Sequence, residues 1–377
     1  MPGETCIAYV LGARPNFVKT APVLRALAQR LPSTRHVVIH TGQHYDKAMS
    51  DVFLDELEFP LPDYSLGVGS GSHGVQTARA LVGIEEALQA EKPQLVVVPG
   101  DVNSTLAGAL AAAKLGIPVA HIEAGLRNFD RSMPEEINRV LVDQLSQFCF
   151  THSPEASDNL RREGIDAARI WFVGNTMIDT LVQLRPKVAQ STIVHRLGLD
   201  PGGYALVTLH RPKLVDGPLL EDALAALSRL AQSMPVVFPV HPRTRARLNE
   251  LPPVEGLLLV EPLGYVDFLA LEANAAAVVT DSGGVQEETT YLRVPCFTVR
   301  DSTERPITVT AGTNRLLGQH PREIANIPEL LRHVVVPHRP PEGWDGAAAL
   351  RLAEVVSAWL EGATAIEAPR SVAGGAW

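Results

Sequence analysis

Short apolar runs alternate along the chain with longer stretches of mixed apolar and polar positions. "CIAYVLG", "HVVIHT", "LVVVPG" and "IPVAHIE" carry few polar side chains and read as strands apolar on both faces. Between them Val18–Arg30, Val75–Ala90, Ser104–Leu115 and Pro134–Phe148 read as helices, and "RIWFVGNT" closes this half. The pattern then restarts. "YALVTLH", "MPVVFPVHP", "GLLLVEP", "AAAVVTD" and "VPCFTV" form a second set of strands, with Leu219–Gln232 and Tyr265–Ala273 among the helices between them. Strands buried on both faces and alternating with helices predict parallel sheets covered on each side. The fold class expected is α/β, two doubly wound, Rossmann-like domains facing across a cleft. The boundary falls in the segment after Asn175, giving domains over residues 1–174 and 175–345, with the second sheet complete before about His333. "WDGAAALRLAEVVSAWLEG" reads as one last helix, assigned to 346–362, and the Ala- and Gly-rich tail 363–377 is expected to fray.

Composition narrows the function classes. Hydrophobic residues make up 46% of the 377 positions but aromatics only 5%, so the cores must rest on Ala, Val, Leu and Ile. A formal net charge of −9 argues against nucleic acid or an anionic membrane as the main partner. A local basic pocket for a small anionic substrate remains compatible with it. Cys6, Cys149 and Cys296 are far apart in apolar runs and read as reduced core residues, with neither a disulfide framework nor zinc spacing. The first residues show no basic and apolar leader pattern, and no run of 18 apolar residues occurs, so a soluble cytoplasmic protein is expected.

Ligands of doubly wound sheets lie outside the carboxyl ends of the strands, so the residues just after each strand carry the candidate chemistry. After the first strand, Arg14 and Lys19 flank a Gly/Pro turn that leads into a helix, a place where an anion can bind. Asp101 follows "LVVVPG" and precedes the capping residues Asn103 and Ser104. Taken alone, it is equally a turn residue or a buried cleft carboxylate. Glu123 follows a strand two residues after His121, and an acid there needs a partner or a function. Glu135 and Glu136 open the helix after Pro134, where acids are ordinary helix electrostatics, with Arg139 one turn on. In the second half "VTLHRP" ends in His210 and Arg211, two donors that suit a phosphate, while His241 after "VVFPV" reads as structural. "VVTDSGGVQEE" turns an apolar run into a helix through Asp281, Ser282, Gly283 and Gly284. Glycine permits close backbone approach, and first-turn N–H groups can receive a diphosphate. Glu288, one turn in, is placed to accept from ribose hydroxyls, and Arg300 and Arg305 follow the next strand. There is no Walker motif, no GxGxxG after the first strand and no convincing metal cluster in the sequence.

These residues together make the chain resemble the non-hydrolysing UDP-N-acetylglucosamine 2-epimerases. "GARPNFVK", "HTGQHYD", "GDVNSTLA", "HIEAGLR", "MPEEINR", "GNTMID", "LHRP", "FPVHPRT", "TDSGGVQEE" and "STERPITVTAGTNRL" occur in the family's order, from about residue 5 to about residue 362. The resemblance implies the glycosyltransferase-B architecture, a last helix crossing back to the N-terminal domain, and a homodimer. It also implies interconversion of UDP-GlcNAc and UDP-ManNAc with no added cofactor and no metal. The implied route is anti elimination of UDP to a 2-acetamidoglucal, then re-addition. Carried over, Asp101, Glu123 and Glu135 are the acid/base and sugar-site carboxylates, and Arg14, Lys19 and His210 the cationic and hydrogen-bonding groups. Ser282, Gly283 and Gly284 match the diphosphate site, Glu288 the ribose site, Leu263 and Phe268 positions near the uracil, and Arg305 a ligand-site arginine.

The chain also departs from the family pattern. Pro212-Lys213 follow "HR" where many members have Glu, and Ile307 follows "TERP" where Glu is common. Gln43 is present but Asp46 stands where activated members carry glutamine, and "GVGSGSHG" lacks the expected arginine, so activation by UDP-GlcNAc is not expected. Other readings remain in play at this point. They are a hydrolysing epimerase, an epimerase of a related UDP-2-acetamido sugar, a glycosyltransferase of the same architecture, and a nucleotide-sugar sensor without catalysis.

Overall fold

The computed structural model describes residues 5–42, 47–240, 242–248 and 256–362, so the expected frayed tail lies outside the described residues. The chain divides into two compact units, Met1–Gln183 with Glu342–Trp377, and Leu184–Pro341. The division falls inside the helix Thr176–Gln190. The start of that helix is tied into the first unit, where Thr180 Oγ1 donates to Val18 O at 2.6 Å.

The sheet of the first unit has β1 (Cys6–Leu11), β2 (Arg35–His40), β3 (Tyr64–Ser65), β4 (Leu95–Pro99), β5 (Val119–Ile122), β6 (Phe148–Thr151) and β7 (Ile170–Phe172). Their order is β3-β2-β1-β4-β5-β6-β7, and all pairs are parallel. The second unit has β8 (Ala205–Thr208), β9 (Val236–Pro239), β10 (Leu257–Val260), β11 (Ala277–Thr280), β12 (Cys296–Thr298) and β13 (Asn314–Leu316). These run β10-β9-β8-β11-β12-β13, again all parallel. The α/β, doubly wound class predicted from the apolar pattern is the class observed.

Each sheet buries both faces, which explains why its strands lack polar alternation. In β1, Cys6, Ala8 and Val10 enter one core with Ile84 and Leu88 of the helix His73–Glu91. Ile7 and Tyr9 enter the opposite core with Val23 and Leu27 of the helix Arg14–Arg30. Leu352, Val355 and Val356 of the last helix, Ala348–Leu360, complete that second face. In β11 the same division sends Ala277 and Val279 to one core and Val278 to the other. The three cysteines are buried free thiols.

The last helix is seated by polar contacts as well. Asp179 accepts from Ala348 N at 3.1 Å and Ala349 N at 2.6 Å, capping it. Arg351 Nε donates to Val173 O at 2.6 Å, and the fully buried Trp344 donates its indole N–H to His152 O at 2.9 Å. Gly174 has φ +93°, and a Cβ there would fall 1.9 Å from Gly343 O, so only glycine fits.

One expected element needs correction. The helix from Pro134 ends at Leu145, not at Phe148, and "FCFT" forms β6. Ser146 already has extended backbone (φ −82°, ψ 133°). The four residues of β6 are all buried, a run too short to be told from a helix end by periodicity.

Candidate active site

Strand order reverses between β1 and β4 in the first unit and between β8 and β11 in the second. Crossovers leave the sheet in opposite directions at such a point, which opens a crevice at the carboxyl ends. At the first reversal Asn16 laces the two strand ends together. Its Oδ1 accepts from Gly12 N at 3.0 Å and Ala13 N at 2.9 Å, and its Nδ2 donates to Pro99 O at 3.2 Å. One turn further, the buried Lys19 ammonium is paired with the buried Glu123 carboxylate. Gly100 has φ +68°, and a Cβ on it would stand 3.4 Å from Lys19 Nζ and 3.8 Å from Glu123 Oε2. The turn after β4 thus runs directly against the ion pair.

Glu123 itself has φ +69°, the left-handed region that a non-glycine residue occupies at a cost of about 1–2 kcal/mol. Strain of this kind persists where the surroundings over-determine it, and it concentrates at functional sites. Removing one partner of a buried pair costs about 3–5 kcal/mol, so Lys19 helps to hold Glu123 in place.

Asp101, next to Gly100, accepts from Arg139 Nε at 3.0 Å, while Asn138 Nδ2 donates to its backbone oxygen at 2.8 Å. Arg139 also donates to Glu136 at 2.9 Å. Glu136 is fully engaged: its two oxygens accept from Asn128 N and Phe129 N, each at 2.9 Å. Of the two acids that open this helix, Glu136 therefore shapes the loop before it, and Glu135 is left half-buried beside it. Arg14, also half-buried, opens the helix after β1. Beneath the site, buried His121 donates through Nε2 to Gly100 O at 2.8 Å, and its Nδ1 lies 2.7 Å from Asp143 Oδ1. Burial alone would raise the Asp143 carboxyl, but His121 and Arg127 outweigh it and hold it below the usual carboxylate range.

At the second reversal Asp281 does the lacing. Its buried carboxylate accepts from His210 N at 3.0 Å and Arg211 N at 2.8 Å, and lies 3.0 Å from His210 Nδ1. Burial pushes the Asp281 carboxyl up, but these donors reverse the shift and hold it low. The imidazole they orient is 49% exposed, so it can meet a ligand. Ser282 precedes the helix Gly283–Leu292 with extended backbone and makes no side-chain cap, leaving its first-turn N–H groups for an anion. Gly283 is required by packing: a Cβ there would stand 2.5 Å from Arg305 Nη1 and 2.9 Å from Glu304 Oε1.

Arg305 is buried, with its Nε 3.1 Å from Glu287 Oε1 and an Nη1 contact to Glu304. Glu304 is also bound by Arg300 Nη2 at 2.6 Å. Arg305 thus backs the helix start rather than standing exposed. One turn into the helix, Glu288 Oε1 accepts from Tyr265 OH at 2.5 Å. Tyr265 begins the helix Tyr265–Ala273; Phe268 within that helix and Leu263 just before it are both partly buried against one apolar core.

Comparison with known proteins shows the family. The family model described as UDP-N-acetylglucosamine 2-epimerase matches residues 26–357. The chain belongs to the UDP-N-acetylglucosamine 2-epimerase family. It is an epimerase, hence an isomerase. It is 44% identical to the UDP-N-acetylglucosamine 2-epimerase of Methanocaldococcus jannaschii over 339 residues, covering 86% of this chain and 92% of that one. It is 43% identical to the UDP-2,3-diacetamido-2,3-dideoxy-D-glucuronate 2-epimerase of Pseudomonas aeruginosa over 317 residues, covering 83% and 88%. The crystal structure of the Methanocaldococcus jannaschii UDP-GlcNAc 2-epimerase in complex with UDP-GlcNAc and UDP matches with TM-score 0.83 at 40% identity, covering 94% of this chain and 99% of that one. The kitacinnamycin glycotransferase shares only the fold, with TM-score 0.53 at 14% identity, covering 95% and 99%. The architecture is of the glycosyltransferase-B type.

Within this epimerase the sequence-predicted residues fall into two groups. Lys19, Asp101 and Glu123 gather at the β1/β4 crevice, with Arg14 and Glu135 on the helices that open beside it. His210, Ser282, Gly283 and Gly284 gather at the β8/β11 crevice, with Glu288 further along the helix from Gly283, Phe268 in the helix Tyr265–Ala273 and Leu263 just before it. His241, Gln43 and Asp46 lie outside the described residues. Sequence reasoning missed the partners: Asp281 under His210, Arg139 on Asp101, Tyr265 on Glu288 and Asp143 under His121. An acid that closes an apolar strand needs a partner, and Asp281 closes β11 as Glu123 closes β5. Among the described residues no cluster of acids, histidines or cysteines is arranged to hold a metal, and no helix is long and apolar enough to cross a membrane.

Proposed function

We propose that this epimerase interconverts UDP-GlcNAc and UDP-ManNAc by eliminating and re-adding UDP, without net hydrolysis. The observation that carries the reading is the buried Lys19–Glu123 pair beside Asp101 at the first strand reversal. The C2 proton of the sugar is only weakly acidic, so carboxylates held at that carbon are needed to move it. In the forward step a carboxylate takes the C2 proton, the C1–O bond breaks, and its electron pair leaves on the β-phosphate of UDP. In the return, a proton is delivered to the opposite face of C2 and the UDP oxygen rejoins C1. Asp101, Glu123 and Glu135 supply the acid/base pair and sugar contacts in this proposal, with Lys19 and Arg14 as nearby cations. The second unit holds UDP. His210 and the helix start at Ser282–Gly284 receive the diphosphate, Glu288 accepts from the ribose, and Leu263 and Phe268 border the uracil. Arg305 supports that helix start from behind. Asp46 in place of the activator-site glutamine, and the missing arginine in "GVGSGSHG", add turnover without activation by UDP-GlcNAc to this reading, and the family resemblance adds a homodimer.

Incubation with UDP-GlcNAc in deuterated water tests it. Both UDP-GlcNAc and UDP-ManNAc should appear, each with deuterium at C2. Stoichiometric free ManNAc and UDP would establish hydrolysis instead. A second substrate reading has a specific observation in its favour, the 43% identity to an epimerase named for a UDP-2,3-diacetamido sugar acid. Turnover of that compound with none of UDP-GlcNAc would select it.

A further inference from the structure

Glu272 lies in the helix Tyr265–Ala273 and is completely buried, yet among the described residues it belongs to no ion pair. Neither of its carboxyl oxygens receives an N–H or O–H from any described residue when the side chain is taken as ionised. An isolated buried carboxylate of that kind is prohibitively costly, and the ordinary escape is to keep a proton. Tyr265, two turns before Glu272 and so on the same face of that helix, donates to Glu288 on the packed helix Gly283–Leu292, which makes Glu288 the neighbouring acceptor. Two carboxyls so placed cannot both ionise, and one proton between them satisfies both.

We propose that Glu272 is a positioning residue for ribose recognition: it stays protonated and donates its O–H to Glu288, so that Glu288 is held as the ionised acceptor of the ribose hydroxyls. The proposal rests on the reading that Glu288 meets the ribose. An ionised carboxylate has about four acceptor sites. Tyr265 OH takes one on Oε1 and Glu272 takes another, which leaves sites for two adjacent hydroxyls. Without Glu272, one anchor of the carboxylate is lost and an apolar environment presses on its charge.

The surrounding groups agree with this division. Burial and the Glu288 charge push the Glu272 carboxyl well above its ordinary range, so it is the partner that keeps the proton. Burial raises the Glu288 carboxyl to about 7; Tyr265 opposes that, Glu287 adds to it and Glu272 opposes it. Burial and Glu288 also push the Tyr265 phenol well up, so it remains a donor. Glu287 is itself paired with Arg305, and Cys296, which also feels the Glu272 carboxyl, is a thiol pushed up by burial. The sign follows. Ribose hydroxyls favour ionised Glu288, so affinity gained through them is full above about pH 7 and falls as pH drops through that value.

Infrared difference spectra of the free protein, wild type against Glu272→Gln at pH 8, test the proton itself. A protonated-carboxyl stretch lost in the variant is expected, and its absence in wild type overturns the proposal whatever the site binds. Calorimetry then compares UDP with 2′,3′-dideoxy-UDP across pH 6–9, a ratio that cancels titration of the diphosphate and of His210. Glu272→Gln retains an N–H donor and should keep the wild-type ratio within about threefold. Glu272→Met fills similar space without a donor and should lower it about tenfold to a hundredfold, the usual range for a hydrogen bond to a charged group. Its pH midpoint should rise. Equal behaviour of the two variants means that Glu272 only fills space. If wild type binds UDP and dideoxy-UDP alike, the ribose reading fails, and the infrared result still decides whether Glu272 carries the proton.

Discussion

Gly283 shows how one missing side chain supports the proposed nucleotide site. Its hydrogen faces the Arg305 guanidinium, which is fixed by Glu287 and Glu304 and has nowhere to move. Gly283→Ala should displace that guanidinium and cost about 1–3 kcal/mol of stability, the usual penalty of overpacking. UDP affinity should drop about tenfold, because the helix start shifts with it. Unchanged affinity by calorimetry would show that Arg305 and the diphosphate site are independent. This crowding could not be read from "DSGGVQEE", where the glycines suggested only ligand approach. The sequence did locate Glu123, because an acid closing an apolar run is conspicuous. It could not reveal that Glu123 has a left-handed backbone or that Lys19, far upstream, is its partner, since both arise from the packing of separate crossovers.

At the scale of elements, strands buried on both faces were the legible part, and the edge strands β3 and β13 were not. β3 and β13 span two and three residues, too few for any period to register. The last helix was legible as a helix, but the device that seats it was not. Asp179 sits in "GNTMID" and caps Ala348 and Ala349 from a distant part of the chain. Burial pushes this carboxyl up from 3.8 to about 7, against the two N–H donors that favour its ionised form. A folded value above the unfolded one means that its stabilising contribution is full below about pH 4 and is lost as pH rises through about 7. Asp179→Asn should flatten that part of the stability–pH curve. Asp179→Ala should cost about 1–3 kcal/mol near neutral pH, because two buried N–H groups lose their acceptor. Urea denaturation at pH 5 and pH 8 reads both effects, and a variant as stable as wild type at both would mean that the cap carries no weight.

For the whole molecule, a net charge of −9 has to coexist with a doubly anionic ligand, so recognition must come from local donors. In the proposed function those donors are divided between two sheets of like topology, at the points where strand order reverses. The proposed function assigns the nucleotide to one and the proton transfers to the other, and that division can be measured. Glu288→Ala removes a charge-assisted contact worth about 1.5–3 kcal/mol, so UDP affinity should fall about tenfold to a hundredfold. Asp101→Asn leaves the second unit untouched, and Arg139 keeps its Glu136 partner, so the fold should survive. Its UDP affinity should stay within about threefold of wild type, while single-turnover epimerisation slows by about 10²–10⁴, the range of acid–base assistance. Calorimetry with UDP and rapid-quench assays with UDP-GlcNAc should therefore separate the variants in opposite directions. If Asp101→Asn weakens UDP binding as much as Glu288→Ala does while remaining folded, the nucleotide and the chemistry are not divided between the two units in this way.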